Sequence, residues 1–183
     1  DKVLIRKEIG MLFQGSALFD SMTVEQNVGF PLSMFTNMTK KERLDRVNFC
    51  LERVNLEGRN TLFPAECSGG MQKRIAIARA IAMNPAYLFC DEPNSGLDPQ
   101  TSIVIDNLIR EITYEYNMTT VVITHDMNSV IEIGDKIVFI YEGQKWWEGD
   151  KNSIITTENK EVLDFVYASD FMKEIRQLMQ SKH

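Results

Sequence analysis

Short apolar runs alternate along this chain with segments in which apolar residues recur every three or four positions. The runs at 9–13, 87–90 and 119–124 are bounded by polar or turn-forming residues and predict three strands. Because the last two runs lack a regular polar alternation, we expect both of these strands to be buried on both faces of a parallel sheet. Strands that alternate with amphipathic helices predict an α/β fold.

Capping residues mark where the first helices begin. Thr23 with Gln26, and Thr39 with Glu42, have the three-residue spacing of a capping box. A helical region is therefore predicted over roughly 23–58, with its second helix reaching the end of that range. The inward-facing positions expected for the second helix are Leu44, Val47, Leu51 and Val54.

Two further helix starts follow. Ser68 has the residue type of a helix cap, and Asp98 followed by Pro99 places a cap before a proline at the first helical position. The second of these helices is predicted to reach about Tyr116. The expected apolar positions are Met71, Ile75, Ala78 and Ile81 in the first helix and Val104, Leu108 and Ile112 in the second.

The last third of the chain predicts a short helix at 127–133, a hairpin over 136–147 with its turn at 142–144, and a helical end. Its expected anchors are Val162, Phe165 and Val166, and the tail from Asp170 is expected to fray. The predicted organisation is one domain over 1–183, containing a helical subdomain at 15–85, core strands and helices at 86–149, and a C-terminal helical segment at 150–183.

Composition narrows the class of protein. A net charge of −6, with Lys and Arg dispersed among acids, argues against a nucleic-acid binder. No run approaches the roughly 18 apolar residues of a membrane helix. Cys50, Cys67 and Cys90 lack C-x-x-C spacing, which supports neither a disulfide framework nor a zinc site. The cysteines are expected to be reduced, which predicts a cytoplasmic protein, and the segment at 1–10 has no export-signal pattern.

A glycine pair follows Ser68 at a predicted helix start. Helix N-termini present free backbone N–H groups that attract anions, and Gly69 and Gly70 would let a phosphate approach the backbone. The alternative is that Ser68 is a simple cap and that the glycines serve the turn. The sequence around Ser68 therefore predicts either a phosphate sensor or an ordinary helix start.

Polar side chains follow each predicted strand. Asp91 and Glu92 end the second strand, His125 follows the third, and Gln14 follows the first. Open α/β sheets bind ligands at the carboxyl ends of their strands, where one carboxylate can hold Mg²⁺ and another can activate water. A solvated acidic turn and a structural histidine are the alternatives. We expect these four residues to form one site.

In motif content and order, the chain resembles the nucleotide-binding subunits of ABC transporters, which have a P-loop NTPase-type core. The resemblance implies catalytic roles for Glu92, His125 and Gln14, Mg²⁺ binding by Asp91 and Gln14, and ATP contacts by Ser68, Gly69, Gly70, Met71 and Asp98. Cys67 and Met71 stand where the family usually has leucine and often has glutamine, respectively. Neither departure removes the serine or the glycines.

The resemblance also implies partners. It predicts a head-to-tail dimer with a second ATPase subunit, and contact with transmembrane permease subunits through the Gln14 loop and the helical subdomain, on the inner face of the cell membrane. Within the family, segments 13–32 and 66–74 are similar to ATPases of Mla-type lipid transporters. The alternatives are an ABC-type ATPase acting on DNA and a non-catalytic interaction fragment.

The phosphate loop of such an ATPase does not occur in these 183 residues, since none of the ten glycines begins the pattern G-x-x-x-x-G-K-[ST]. We therefore expect an N-terminally truncated domain that offers the signature half of a shared site. Open strand edges are expected as well.

We predict that the 183-residue polypeptide alone binds ATP very weakly and hydrolyses none. A phosphate loop supplies about four charge-assisted hydrogen bonds of roughly 1.5 to 3 kcal/mol each. Without these hydrogen bonds, the affinity of the polypeptide for ATP should be lower by a factor of at least about 10⁴. Titration of the purified polypeptide with ATP measures this, and tight binding would contradict the prediction.

Overall fold

The computed structural model describes residues 2–168. The predicted tail from Asp170, and with it the end of the predicted 150–183 segment, lies outside the described residues. The chain divides into two compact units, Asp1–His125 and Asp126–His183. The boundaries predicted at 15–85 and 86–149 remain a prediction.

The first unit is built on a parallel three-stranded sheet. Its strands are β1 (Ile9–Leu12), β2 (Tyr87–Asp91) and β3 (Thr119–Ile123), in the order β1-β2-β3. Its helices are α1 (Lys2–Lys7), α2 (Val24–Phe35), α3 (Lys40–Arg53), α4 (Gly69–Ile81) and α5 (Pro99–Glu115), with a 3-10 turn at Pro64–Glu66. The predicted α/β fold with a parallel sheet is confirmed.

The capping signals predicted the helix starts correctly. Both capping boxes are present, with Thr23 and Gln26 opening α2 and Thr39 and Glu42 opening α3. Helix α3 ends at Arg53, earlier than predicted, because Asn55 adopts a left-handed backbone with φ 54°. An α-helix cannot continue through that conformation.

Arginines join the ends of α3 and α4 reciprocally. Arg46 of α3 donates to the carbonyls of Ile81 and Ala82 at the end of α4, both at 2.9 Å. Arg74 of α4 donates to the carbonyls of Val54 and Asn55 after α3, at 3.4 and 3.3 Å. Each helix thereby satisfies carbonyl groups that the other helix leaves without an intrahelical partner.

One face of the sheet is buried and the other is exposed. Leu12, Leu88 and Cys90 are almost completely buried, whereas the neighbouring positions on the opposite face are open. The prediction that β2 and β3 are buried on both faces is therefore wrong for the described residues, since no described element of this unit covers the second face. The exposed residues are Met11, Phe13, Tyr87, Phe89, Val121 and Ile123.

Three predicted anchor positions are also exposed. Leu44 of α3 is 38% exposed and Val104 of α5 is 53% exposed, because each helix turns a neighbouring stripe inward. In α5 the buried stripe is Ile105, Leu108, Ile109 and Ile112. In the second unit, Phe165 is 42% exposed, whereas Val162 and Val166 are buried as predicted.

The second unit contains α6 (Met127–Ile133), the antiparallel strands β4 (Ile137–Tyr141) and β5 (Gln144–Gly149), α7 (Lys151–Thr156) and α8 (Lys160–Val166). The hairpin turn consists of Glu142 and Gly143, which both have positive φ, as in a type I′ turn. Gln144, predicted in the turn, therefore already belongs to β5. Ile154, Val162, Val166 and Tyr167 form the core of this unit.

None of the helices described in residues 2–168 has the length and apolar character needed to cross a membrane. The three cysteines are buried and form no disulfide. Burial raises the pKa of the Cys50 thiol to about 11 and that of Cys90 to about 12. Both thiols are therefore protonated at neutral pH.

The closest approach of α4 to the sheet yields a stability prediction. A methyl group at Gly10 would lie 2.6 Å from the carbonyl oxygen of Ala80, so Gly10→Ala forces β1 and α4 apart. We expect a loss of about 1 to 3 kcal/mol in the free energy of unfolding, measured with denaturant. Gly15→Ala is the control, because nothing lies within 4 Å of its added carbon. Equal midpoints for the two variants would contradict the close packing.

Candidate nucleotide site

The four strand-end residues predicted to form a site lie at the same edge of the sheet. Gln14 follows β1, Asp91 ends β2 with Glu92 next, and His125 follows β3. The strands are adjacent and parallel, so their carboxyl ends meet. The His125 Nδ1 atom lies 2.8 Å from the Glu92 Oε1 atom. The structure thus brings Glu92 and His125 into direct contact.

Glu92 is held in an uncommon backbone conformation. Its φ is 45°, in the left-handed region that few non-glycine residues adopt. Its N–H donates to the Ile123 carbonyl at 2.9 Å, and its own carbonyl accepts from the Ser95 N–H at 3.1 Å. Strained residues persist only where neighbours hold them, and they occur often at functional sites. This conformation turns the Glu92 side chain out of the strand direction.

Gln14 is linked to the loop that follows Glu92. Its amide nitrogen donates to the Ser95 hydroxyl at 3.2 Å. The ends of β1 and β2 are therefore joined by a side-chain hydrogen bond. Ser95 had no place in the sequence prediction, because nothing in its residue type separates it from other turn serines.

Ser68 begins α4 as predicted. Its hydroxyl oxygen accepts from the Met71 N–H at 3.3 Å, so the cap interpretation is correct as far as the fold is concerned. The two glycines that follow differ in how much space surrounds them. A methyl at Gly70 would lie 2.8 Å from the Thr101 methyl carbon, but one at Gly69 would make only an ordinary contact, 3.5 Å from Leu97. Nothing in the described residues requires glycine at position 69.

Asp98 caps α5. Its Oδ1 atom accepts from the Gln100 and Thr101 N–H groups, both at 3.0 Å. The hydrogen bond from the Thr101 hydroxyl, followed by that from the Thr101 amide, lowers the pKa of Asp98. Its observed role is to begin a helix, and its predicted contact with ATP remains a prediction.

Lys73 is a residue of this region that the sequence analysis missed. It is only 3% exposed, and its ammonium donates to the carbonyls of Gln14 and Glu92, the latter at 3.4 Å. Burial lowers the pKa of Lys73. A usable signal was present: the apolar residues at 75–78 and 80–81 cover more than one side of α4, and a polar residue on a helix buried on several sides needs a partner inside the protein.

The donor set at this edge suits Mg²⁺ with a nucleotide. Asp91 and Glu92 offer carboxylate oxygens and Gln14 an amide oxygen, the hard ligands that Mg²⁺ prefers. No group of three or more His, Cys, Asp or Glu side chains within the described range forms a metal cage by itself. Mg²⁺ usually takes one or two carboxylates and completes its shell with phosphates and water.

Comparison with known proteins identifies the family to which this chain belongs. Residues 1–95 match the family described as ABC transporter, and this chain belongs to that family. Two structures of the ATP-binding cassette MJ0796 share the fold with a TM-score of 0.73 and 34% identity, over 82% of this chain and 66% of that one. Both are described as dimeric, and one holds ADP and phosphate.

Among curated relatives, the methionine import ATP-binding protein MetN of Campylobacter jejuni is 38% identical over 93% of this chain and 55% of its own length. MetN of Geobacillus kaustophilus is 41% identical over 79% of this chain and 42% of its own length. The chain thus spans about half the length of these relatives. Their names give no support to the lipid assignment made from segments 13–32 and 66–74.

Gly69→Ala separates the two interpretations of the Ser68 segment. The unfolding free energy should stay unchanged or rise by up to about 1 kcal/mol, because alanine favours the helix. If a phosphate contacts this backbone, ATPase activity of the natural polypeptide that carries this sequence should fall at least about tenfold. Gly70→Ala should be the less stable of the two variants, because its added methyl group would lie too close to the Thr101 methyl carbon. Unchanged activity in Gly69→Ala would favour the simple cap.

Proposed function

We propose that this chain is part of an ATP-binding and ATP-hydrolysing subunit that powers an ABC transporter. The observation that carries the proposal is the 2.8 Å contact between His125 and Glu92 at the sheet edge where Gln14 and Asp91 also lie. A carboxylate, a histidine and an amide that converge on one edge fit the hydrolysis of a phosphate bond.

Each strand-end residue has a proposed role. Glu92 orients and deprotonates the attacking water, and His125 holds the Glu92 carboxylate and donates to phosphate. Asp91 and Gln14 bind Mg²⁺. The metal, when bound, neutralises charge on the phosphates. The left-handed backbone of Glu92 supports this assignment, because strained conformations occur often at functional sites.

The second part of the proposal concerns a shared site. Ser68, Gly69, Gly70 and Met71 lie at the N-terminus of α4, a different element from the three strand ends. We place them, with Asp98, on the ATP held by a second subunit in a head-to-tail dimer. The room for a methyl at Gly69 supports this role, because the chain's own packing does not demand glycine there.

A groove on the first unit supports contact with a permease. It is lined by residues of α2, α3 and the loop before α2, among them Met22, Phe30, Arg43 and Leu44. Apolar and basic residues side by side suit a helix from a membrane protein. We therefore propose that the subunit works in the cytoplasm, on the inner face of the membrane. A DNA-acting ATPase and a non-catalytic fragment are not favoured by any described feature.

Two substrate classes follow from different observations. The curated relatives are named for methionine import, which favours a small amino acid. The resemblance of segments 13–32 and 66–74 to Mla-type ATPases favours a lipid. ATPase stimulation of the reconstituted transporter by methionine with its binding protein, or by phospholipid, separates the two classes. We propose methionine-type import as the first to test.

Glu92→Gln tests the proposed hydrolysis. The amide cannot accept a proton, so we expect the ATPase rate of the natural polypeptide to fall by roughly 10²- to 10⁴-fold. ATP affinity should change little, because size and shape are kept. Glu111→Gln is the matched control, since Glu111 is exposed on α5 and away from the strand ends. An ATPase rate in Glu92→Gln equal to that of the control would overturn the proposal.

A further inference from the structure

Lys73 places a positive charge inside the fold, on a helix whose other buried residues are all apolar. The neighbouring residues Ile75, Ala76 and Ile77 are buried as well. A buried ammonium is costly unless it is hydrogen-bonded. The acceptors in this structure are the main-chain carbonyls of Gln14 and Glu92, which lie 59 and 19 residues away along the chain. One side chain thus joins three distant segments.

The position of the two carbonyls is informative. The paired residues of β1 and β2 end at Leu12 and Cys90. Gln14 and Glu92 each lie two residues beyond that last pair. Beyond that pair, the two chain segments are no longer paired as strands of the sheet. Lys73 bonds to both segments in this unpaired region.

We propose that Lys73 is a positioning residue: its ammonium ties the backbones of Gln14 and Glu92 together and so sets the spacing of their side chains at the nucleotide. This inference rests on the proposed function. Lys73 itself touches no reacting atom, because it bonds to the main chain of residues whose side chains act. A shift of either strand end would move the water-activating carboxylate relative to the amide that binds the metal.

Burial and nearby charges act on this ammonium in opposite directions. Burial is the larger influence and lowers the pKa of Lys73, whereas the carboxylates of Asp91 and Glu92 act in the opposite direction. A protonated amine has three N–H donors and can serve two carbonyls at once. Hydrogen bonds to a charged donor are also stronger than neutral ones. The Lys73 ammonium is therefore suited to holding the main chains at the two strand ends together.

A second cation on α4 also bonds to the main chain of the segment that follows β1. Arg79 donates to the carbonyls of Ser16 at 2.7 Å and Ala17 at 2.6 Å, where both residues have positive φ. Together with Lys73, it fixes the segment that follows β1 by its backbone. The side-chain hydrogen bond between Gln14 and Ser95 also links the two strand ends, and Lys73 adds a link through their main chains.

The test compares Lys73→Met with Lys73→Gln in the natural polypeptide that carries this sequence. The two substituted side chains are similar in length, but only glutamine can donate hydrogen bonds. Lys41→Met is the control, because the Lys41 side chain is 88% exposed on α3. Two measurements are made: amide hydrogen exchange without nucleotide, followed at Ser16 and Ser95, and the kcat and KM for ATP.

Lys73→Met should raise exchange at Ser16 and Ser95 about tenfold, since their amides are bonded to Phe13 and Glu92 at the two strand ends. Its kcat should fall about tenfold, with KM within about twofold, because the tie acts on the reacting groups and not on the binding of ATP. Lys73→Gln should be intermediate in both measurements, and Lys41→Met should match the unsubstituted protein.

Equal effects of methionine and glutamine would show that only side-chain volume matters at Lys73, and would overturn the proposal. Unchanged exchange at Ser16 and Ser95 in Lys73→Met would do the same. If Lys73→Met fails to fold, the same measurements on Lys73→Gln are compared with those on Lys41→Met. If the unsubstituted protein hydrolyses no ATP, the proposed function fails, and the exchange comparison still decides whether Lys73 ties the two strand ends.

Discussion

Helix α4 is buried along most of its surface, so the cations along it must find acceptors inside the protein. Lys73 bonds to the carbonyls of Gln14 and Glu92, Arg74 to those after α3, and Arg79 to those of the loop after β1. These acceptors lie on segments that are far apart in the chain. The need to satisfy buried charge therefore makes α4 the element to which the site-bearing segments are attached.

The candidate site depends on this attachment and on strand order. Parallel strands β1, β2 and β3 deliver Gln14, Glu92 and His125 to one edge. The left-handed backbone of Glu92 then turns its carboxylate to His125, 2.8 Å away. Backbone hydrogen bonds from the loop and from β3 hold that conformation. The geometry of the candidate site is thus a property of main-chain contacts as much as of side chains.

Local signals were good predictors of the elements. Thr23, Thr39, Ser68 and Asp98 each begin a helix, because a cap acts on amides only two or three residues away. Burial was predicted less well. Apolar runs suggested doubly buried strands, but Tyr87 is 49% exposed, since burial depends on what covers the second face of the sheet.

The sequence by itself determined the family, the helix starts and the strand-end positions of Gln14, Asp91, Glu92 and His125, because motif order and capping are local properties of the chain. Only the tertiary structure decided which of these residues meet, what Gly69 and Gly70 have room for, and that Lys73 joins two strand ends. Those features depend on contacts between residues that are distant in sequence, whose spacing is set by the packing of α4 against the sheet.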